Sequence, residues 1–104
     1  MILVASSEIA GKKIVKTIDL VKGNTIRARH LGKDIIAGLK NLVGGEIEEY
    51  TKLMAEAREQ ALDRMKAAAE EMGANAIIDV SFSTSYIMGM ASEILVYGTA
   101  VVVE

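Results

Sequence analysis

Cysteine and proline are both absent from this chain of 104 residues, and there is a single histidine. Without cysteine the chain has no disulfide framework, and it has no thiolate that could act as a nucleophile or a metal ligand. Without proline it shows no obvious linker of the kind that separates two domains. We therefore expect one domain, spanning residues 1–104.

Positive charge is not in excess either, since the net formal charge is −2 and the isoelectric point is about 5.4. Such a chain lacks the basic surface that attracts nucleic acid or an anionic membrane. No apolar run approaches the roughly 18 residues of a membrane-spanning helix. The apolar run at residues 2–5 is too short for a signal peptide. These absences predict a cytoplasmic protein with no nucleic-acid or membrane partner.

The longest regular pattern in the sequence lies between residues 44 and 73. Apolar side chains recur there at steps of three and four, which is the period of one helix face. They are Ile47, Tyr50, Met54, Ala57, Ala61, Met65, Ala68 and Met72. Gly73 follows the last of them, so we expect it to adopt positive φ and end the helix. A helix of this length is about 40 Å long, which exceeds what so small a domain needs for its own core.

Strand patterns lie on both sides of this helix. Residues 2–5 and 14–29 precede it, the latter interrupted by a turn or bulge at Gly23-Asn24. A short amphipathic helix is predicted from Leu31 to Leu42. Residues 78–86 alternate between apolar and polar side chains, and residues 93–103 are apolar on both sides. We therefore predict an α+β fold, an antiparallel sheet packed by one long and one short helix in the order β-β-α-α-β-β.

Three ordered motifs resemble the YbjQ-like family. They are Gly44-Gly45-Glu46 followed by Tyr50-Thr51, Ala57-Arg58 and Ala61-Leu62; then Gly73-Ala74-Asn75-Ala76-Ile77-Ile78; and then Gly98-Thr99-Ala100-Val101. The resemblance implies a subunit of dodecin-like architecture and a pentameric ring. The function of that family is essentially unassigned, and its label is "putative heavy-metal-binding".

A heavy-metal site requires ligands that this chain hardly offers, because soft metals prefer thiolates, thioethers and imidazoles. His30 and Asp34 share one helix face at best, and two ligands do not close a site. Met88 and Met90 form the other soft pair, but methionine usually serves as apolar filler. We expect no metal site within one subunit and no cofactor. A ring axis, where symmetry multiplies one ligand, is the exception.

Anion binding and catalysis have weak candidates. Gly44-Gly45 before a helix is typical of a phosphate-binding N-terminus, but Glu46 and two further glutamates at positions 48 and 49 would repel an anion there. The candidate acid–base residues are Glu46, Tyr50, Arg58 and His30. The alternating Ser81, Ser83 and Ser85 lack the elbow that exposes a nucleophile. Because no base lies beside an orienting partner, we predict that the protein is not an enzyme.

Two functions remain open from sequence. The first is a ring-forming scaffold or binding protein with any ligand at subunit interfaces, where the candidate residues are Gly44, Gly45, Glu46, Tyr50 and Arg58. The second is a metal- or small-molecule-handling protein whose site is completed by assembly. Association is favoured because the last strand is apolar on both faces and one helix layer covers only one of them. If Ile94 or Val101 on that strand lies in the interface, changing it to Asp should break the ring or leave the protein insoluble.

Overall fold

The structure, a computed structural model, describes residues 1–27, 45–87 and 91–104. Its elements in chain order are β1 (Ile2–Leu3), β2 (Ile14–Arg27), α1 (Gly45–Glu71), β3 (Ala76–Ile87) and β4 (Ala91–Val103). The four strands form one sheet in the order β1-β3-β4-β2. The helix lies across one face of this sheet, so the described part of the chain consists of two layers.

The predicted fold is wrong in its sheet and in its element order. The sheet is mixed rather than antiparallel, because β1 runs parallel to β3 while β3–β4 and β4–β2 are antiparallel. The described elements follow the order β-β-α-β-β with one helix. The predicted short helix from Leu31 to Leu42 lies outside the described residues. A two-residue strand carries no periodicity, so its parallel pairing with a strand more than 70 residues away was invisible in the sequence.

The long helix ends as its sequence predicts. Gly73 has a φ of 89°. Its N–H donates to the carbonyl of Glu70, and the N–H of Ala74 donates to the carbonyl of Ala69, each at 3.0 Å. This pair of bonds is the Schellman motif, which satisfies carbonyls that the helix itself leaves without partners. The chain then turns directly into β3.

Small residues bring the helix close to the sheet. The fully buried helical residues that face β2 and β4 are Ala57, Ala61, Met65 and Ala69. Gly23 of β2 lies directly beneath them, where a Cβ atom would stand 2.2 Å from the carbonyl oxygen of Ala61 and 2.5 Å from the nitrogen of Met65. The expected turn or bulge at Gly23-Asn24 is absent, because β2 pairs with β4 without interruption there. Glycine instead permits the contact between strand and helix backbone.

Among the described residues, the opposite face of the sheet is covered at one end only. Ala76, Ile78, Val101 and Val103 form a second apolar cluster there. The N-terminal segment packs over this cluster through Ile2, Val4, Ile9 and Ile14. Val101 is thus buried inside the chain, and Ile94 is buried under the helix. The sequence argument that one helix leaves all of the second face of β4 bare is therefore wrong for this end.

A bulge breaks the alternation predicted for β3. The pairing with β4 shifts between Ile78 and Ser81, and Asp79 adopts a φ of 53°. Aspartate tolerates this left-handed conformation better than most residues. Its side chain accepts a 2.8 Å hydrogen bond from Ser7 Oγ. As a result Ile78 shares a face with the serines of β3, whereas the sequence pattern placed it on the face of Phe82.

In the part of the chain that the structure describes, no helix combines the length and apolarity needed to span a bilayer.

Candidate functional site

Four of the five predicted site residues lie on α1. Gly44 lies outside the described residues. Gly45, Glu46 and Tyr50 occupy the first two turns of α1, and nothing is described of their side chains. Arg58 stands 13 positions after Gly45, which is about 20 Å further along the helix axis. The four described residues thus lie along one helix, and a common site would need groups from elsewhere.

Arg58 is exposed on the outer surface of α1. It lines an open depression with a volume of about 460 Å³. The other lining residues are Lys52, Ala55, Glu56, Glu59 and Gln60. Charges of both signs alternate along this surface, which is the usual composition of a solvated helix face. The depression therefore has no single charge sign that would select an anion or a cation.

The metal-ligand candidates from sequence fall outside the described ranges. His30, Asp34, Met88 and Met90 all do so. Within residues 1–27, 45–87 and 91–104, no three side chains of His, Cys, Asp or Glu lie together in a way that could hold a metal ion. The described residues therefore provide no metal centre inside one subunit.

Within residues 1–27, 45–87 and 91–104, the open end of the sheet face opposite α1 lacks a covering layer. Strand pairing aligns residues there in rows across β2, β4 and β3. The successive rows are Lys22, Tyr97 and Ser81; Asn24, Leu95 and Ser83; and Ile26, Glu93 and Ser85. We call this surface the open sheet face. Sequence reasoning missed these rows because they depend on the register between strands far apart in the chain.

The open sheet face carries both polar and apolar side chains. Asn24 Nδ2 donates to Glu93 Oε2 at 3.2 Å, which ties β2 to β4 on this surface. Leu20 is 61% exposed, Ile26 56% and Tyr97 39%. The serines form its β3 side, but no residue in these rows is positioned as a base hydrogen-bonded to one of them. Exposed apolar side chains of this kind are typical of surfaces that contact another molecule.

A further large apolar side chain is exposed on the helix side of the sheet. Phe82 of β3 pairs with Val96 and so faces the layer of α1. The helix lies over β2 and β4, however, and Phe82 is left 47% exposed. Exposed apolar side chains are thus found on both outer strands of the open end, Leu20 and Ile26 on β2 and Phe82 on β3.

Comparison with known proteins agrees with the resemblance seen in the motifs. A family model described as "Putative heavy-metal-binding" matches residues 1–104. A UPF0145 protein of Dehalococcoides mccartyi is 62% identical over 104 residues, covering 100% of both chains. A UPF0145 protein of Methanosarcina acetivorans is 54% identical over 101 residues, covering 97% of this chain and 95% of its own.

One solved structure has a similar fold. It is a protein of unknown function from Pediococcus pentosaceus, assigned to the DUF74 family, with a TM-score of 0.66 and 18% sequence identity. The match covers 100% of this chain and 98% of the other. At this identity the likeness concerns the fold alone. On the family model and the full-length relatives together, the chain belongs to the YbjQ family of uncharacterised UPF0145 proteins, the family described as "Putative heavy-metal-binding".

Proposed function

We propose that this protein is a non-enzymatic, ring-forming scaffold or binding protein of the cytoplasm, a homopentamer whose ligands bind where subunits meet. The observation that carries the proposal is the amount of surface one subunit exposes. A monomer of 11.1 kDa is expected to expose about 5700 Å², whereas this chain exposes 6822 Å². The difference exceeds the roughly 800 Å² that each partner contributes to a standard interface.

The shape of the chain supports the same proposal. Its radius of gyration is 16.9 Å, against about 13 Å for a compact domain of this length. Its extents are 54 × 24 × 17 Å, so it is a long, thin body with little interior for its surface. Such a body gains apolar burial by lateral association. The number five comes from the family resemblance, not from these dimensions.

Sedimentation equilibrium at micromolar concentration tests the assembly. We expect one species at five times the 11.1 kDa chain mass. A monomer throughout that range would contradict the oligomer, and a dimer or hexamer would contradict only the number five. Circular dichroism on the same samples shows whether a monomeric result reflects a folded chain.

Placement of ligands at interfaces is tested at Arg58 and Tyr50. In the assembled protein, we expect Arg58→Ala and Tyr50→Phe to weaken binding of a co-purified small molecule while leaving the sedimentation profile unchanged. Native mass spectrometry of the oligomer, before and after mild denaturation, detects such a molecule. Lys66→Ala on the same helix is the control. Equal loss in all three variants would contradict the assignment of the site.

A metal-handling function is the second candidate, and the family description is what favours it. No group of ligands in the described residues could hold a metal, and we propose that assembly of symmetry-related copies completes the site. Elemental analysis of the assembled protein is the direct test. A stoichiometric transition metal that His30→Ala removes would support this candidate over the scaffold. Its absence after incubation with zinc and copper would exclude it for those metals.

A further inference from the structure

The two long outer edges of the open end both lack a strand partner among the described residues. β2 pairs with β4 on one side and has no described neighbour on the other. The outer side of β3 is covered by the N-terminal segment, but only as far as Val80, whose N–H donates to the carbonyl of Val4 at 3.0 Å. From Ser81 to Ile87 the outer side of β3 has no described strand neighbour. Unpaired edges of this length are templates for pairing with another chain.

The two unpaired edges match each other in length, level and direction. Residues 20–27 of β2 lie opposite residues 92–99 of β4, and residues 81–87 of β3 lie opposite residues 91–97 of the same strand. Both β2 and β3 run antiparallel to β4, so they run parallel to each other. Rotation about an axis roughly along the strands therefore brings β2 of one copy beside β3 of the next without reversing either strand.

The two edges differ in charge. The charged side chains of β2 are Lys16, Asp19, Lys22 and Arg27, a net charge of +2. Residues 81–87 of β3 carry no charged side chain, and the carboxylates of Asp79 and Glu8 lie elsewhere on that side of the sheet. Two β2 edges therefore repel each other, whereas β2 meets no such repulsion at the uncharged edge of β3.

The apolar side chains on these edges are also arranged for lateral contact. Leu20 and Ile26 lie on the open-face side of β2, and Phe82 lies on the helix side of β3. In each subunit α1 covers β2 and leaves Phe82 about half exposed. When β3 of the next copy lies beside β2, its Phe82 comes next to the helix that covers β2. The lateral contact thus brings Phe82 against a covering helix and places Leu20 and Ile26 beside side chains of the neighbouring strand.

We propose that β2 of one copy pairs in parallel with residues 81–87 of β3 in a second copy, so that the sheet continues from subunit to subunit. This inference rests on the proposed homo-oligomer and specifies its interface. The contact is heterologous, since different surfaces meet, and heterologous contacts close into rings when the rotation permits. Backbone hydrogen bonds between the two edges, supplemented by Leu20, Ile26 and Phe82, hold the subunits together.

Cysteine cross-linking tests this pairing cleanly because the chain has no cysteine of its own. The variants are Lys22→Cys, Asn24→Cys and Ile26→Cys on β2, and Ser81→Cys, Ser83→Cys and Ser85→Cys on β3. A panel of nine mixed pairs is needed because strands in a closed sheet are staggered. Each β2 variant is mixed with each β3 variant, dissociated, reassembled, oxidised and run on a non-reducing gel.

Within one chain the two sets of positions cannot form a disulfide. Asn24 and Ser83 both pair with Leu95, from opposite sides, so they stand two strand spacings apart. That is roughly 9.6 Å between Cα atoms, beyond the limit of about 7 Å for a disulfide. We expect at least one mixed pair to give a cross-linked dimer in high yield. The corresponding double variant should give a covalent ladder that ends at the ring size measured by sedimentation.

The controls separate this interface from other modes of assembly. Tyr97→Cys lies on the same face but on the central strand, so mixing it with Ser83→Cys should give no cross-link. Efficient cross-linking of any β2 variant with itself would indicate a two-fold contact and overturn the proposal. An oligomer by sedimentation without a cross-link in any mixed pair would overturn the edge pairing and leave the proposed assembly intact. A folded monomer would overturn both.

Discussion

The two faces of the sheet differ sharply in burial although the same three strands form both of them. On the helix face, Val21, Thr25 and Ile94 are at most 3% exposed. On the opposite face at the same level, Leu20 and Ile26 of the same strand are more than half exposed. Residue type alone does not explain this, since aliphatic side chains occur on both faces. What differs is the covering layer, and the uncovered aliphatic side chains lie on the surface where we propose that a second copy binds.

Among substitutions on either face of the sheet, we expect Gly23→Ala to lower the free energy of unfolding most. The added Cβ would overlap the helix backbone at Ala61 and Met65, so strand and helix must move apart. We predict a loss of about 3 kcal/mol in the free energy of unfolding, at the upper end for overpacking. Urea denaturation measures it. Lys22→Ala, the adjacent residue on the opposite face, should change the stability by less than about 0.5 kcal/mol. A loss below about 1 kcal/mol for Gly23→Ala would show that the helix does not approach the strand so closely.

The next largest loss of stability is expected from a substitution at the covered end of the sheet face opposite α1. Val101 is completely buried under the N-terminal segment. Val101→Ala removes two methyl groups from that cluster and should cost about 2 kcal/mol. Leu20→Ala removes more carbon, but from a side chain that is 61% exposed, and should cost less than about 0.5 kcal/mol in the dissociated subunit. Equal losses for the two variants would mean that the N-terminal segment does not cover this end.

A smaller loss of stability is expected when the buried hydrogen bond between the sheet and the helix is removed. Thr25 Oγ1 donates to the carbonyl of Ala57 at 3.0 Å, and Thr25 is 3% exposed. Thr25→Val keeps the shape and removes the donor, so we predict a loss of about 1 kcal/mol in thermal or urea unfolding. Thr84→Val on exposed β3 is the matched control and should be nearly neutral. A stability gain for Thr25→Val would show that this hydrogen bond is not formed.

A substitution on the uncovered face is expected to change the unfolding free energy least. The same substitution should clearly weaken the association of subunits. Leu20→Ser should leave the unfolding free energy of the subunit within about 0.5 kcal/mol of the parent. If the side chain is buried between subunits, its loss raises the dissociation constant about tenfold, equivalent to about 1.4 kcal/mol. Dilution followed by sedimentation velocity measures this. Met72→Ser, an exposed apolar residue at the end of α1, should leave dissociation unchanged.

Features that depend on neighbouring residues could be predicted from the sequence. The helix from Gly45 to Glu71 and its glycine cap arise from spacing and from local backbone preference. The extended character of β2 and β4 was also evident in their β-branched residues. In contrast, the parallel pairing of β1 with β3 and the bulge at Asp79 depend on contacts between distant segments. Local pattern contains no information on those contacts.

The candidate site was less predictable for the same reason. Glu46, Tyr50 and Arg58 were chosen from one helix because that helix carries the family motif. The row of Lys22, Tyr97 and Ser81 requires the register of three strands, one of them shifted by a bulge. Without the bulge, Ile78 would not share the face of Ser81. Knowing which strands pair, and in which register, is therefore the information that the sequence lacked.

The pairing of β1 and β2 with strands from the other end of the chain also bears on how this protein folds. Every strand contact of residues 2–27 is made with residues 76–103. During synthesis the first strands therefore have no partner in the sheet until those residues have emerged, and α1 is the one described element that completes its backbone bonds locally. Such long-range topology slows folding, because the closure of long loops must precede the strand contacts. Aliphatic strands without partners are prone to aggregate in that interval, and β2 is the longest such strand in the first part of the chain.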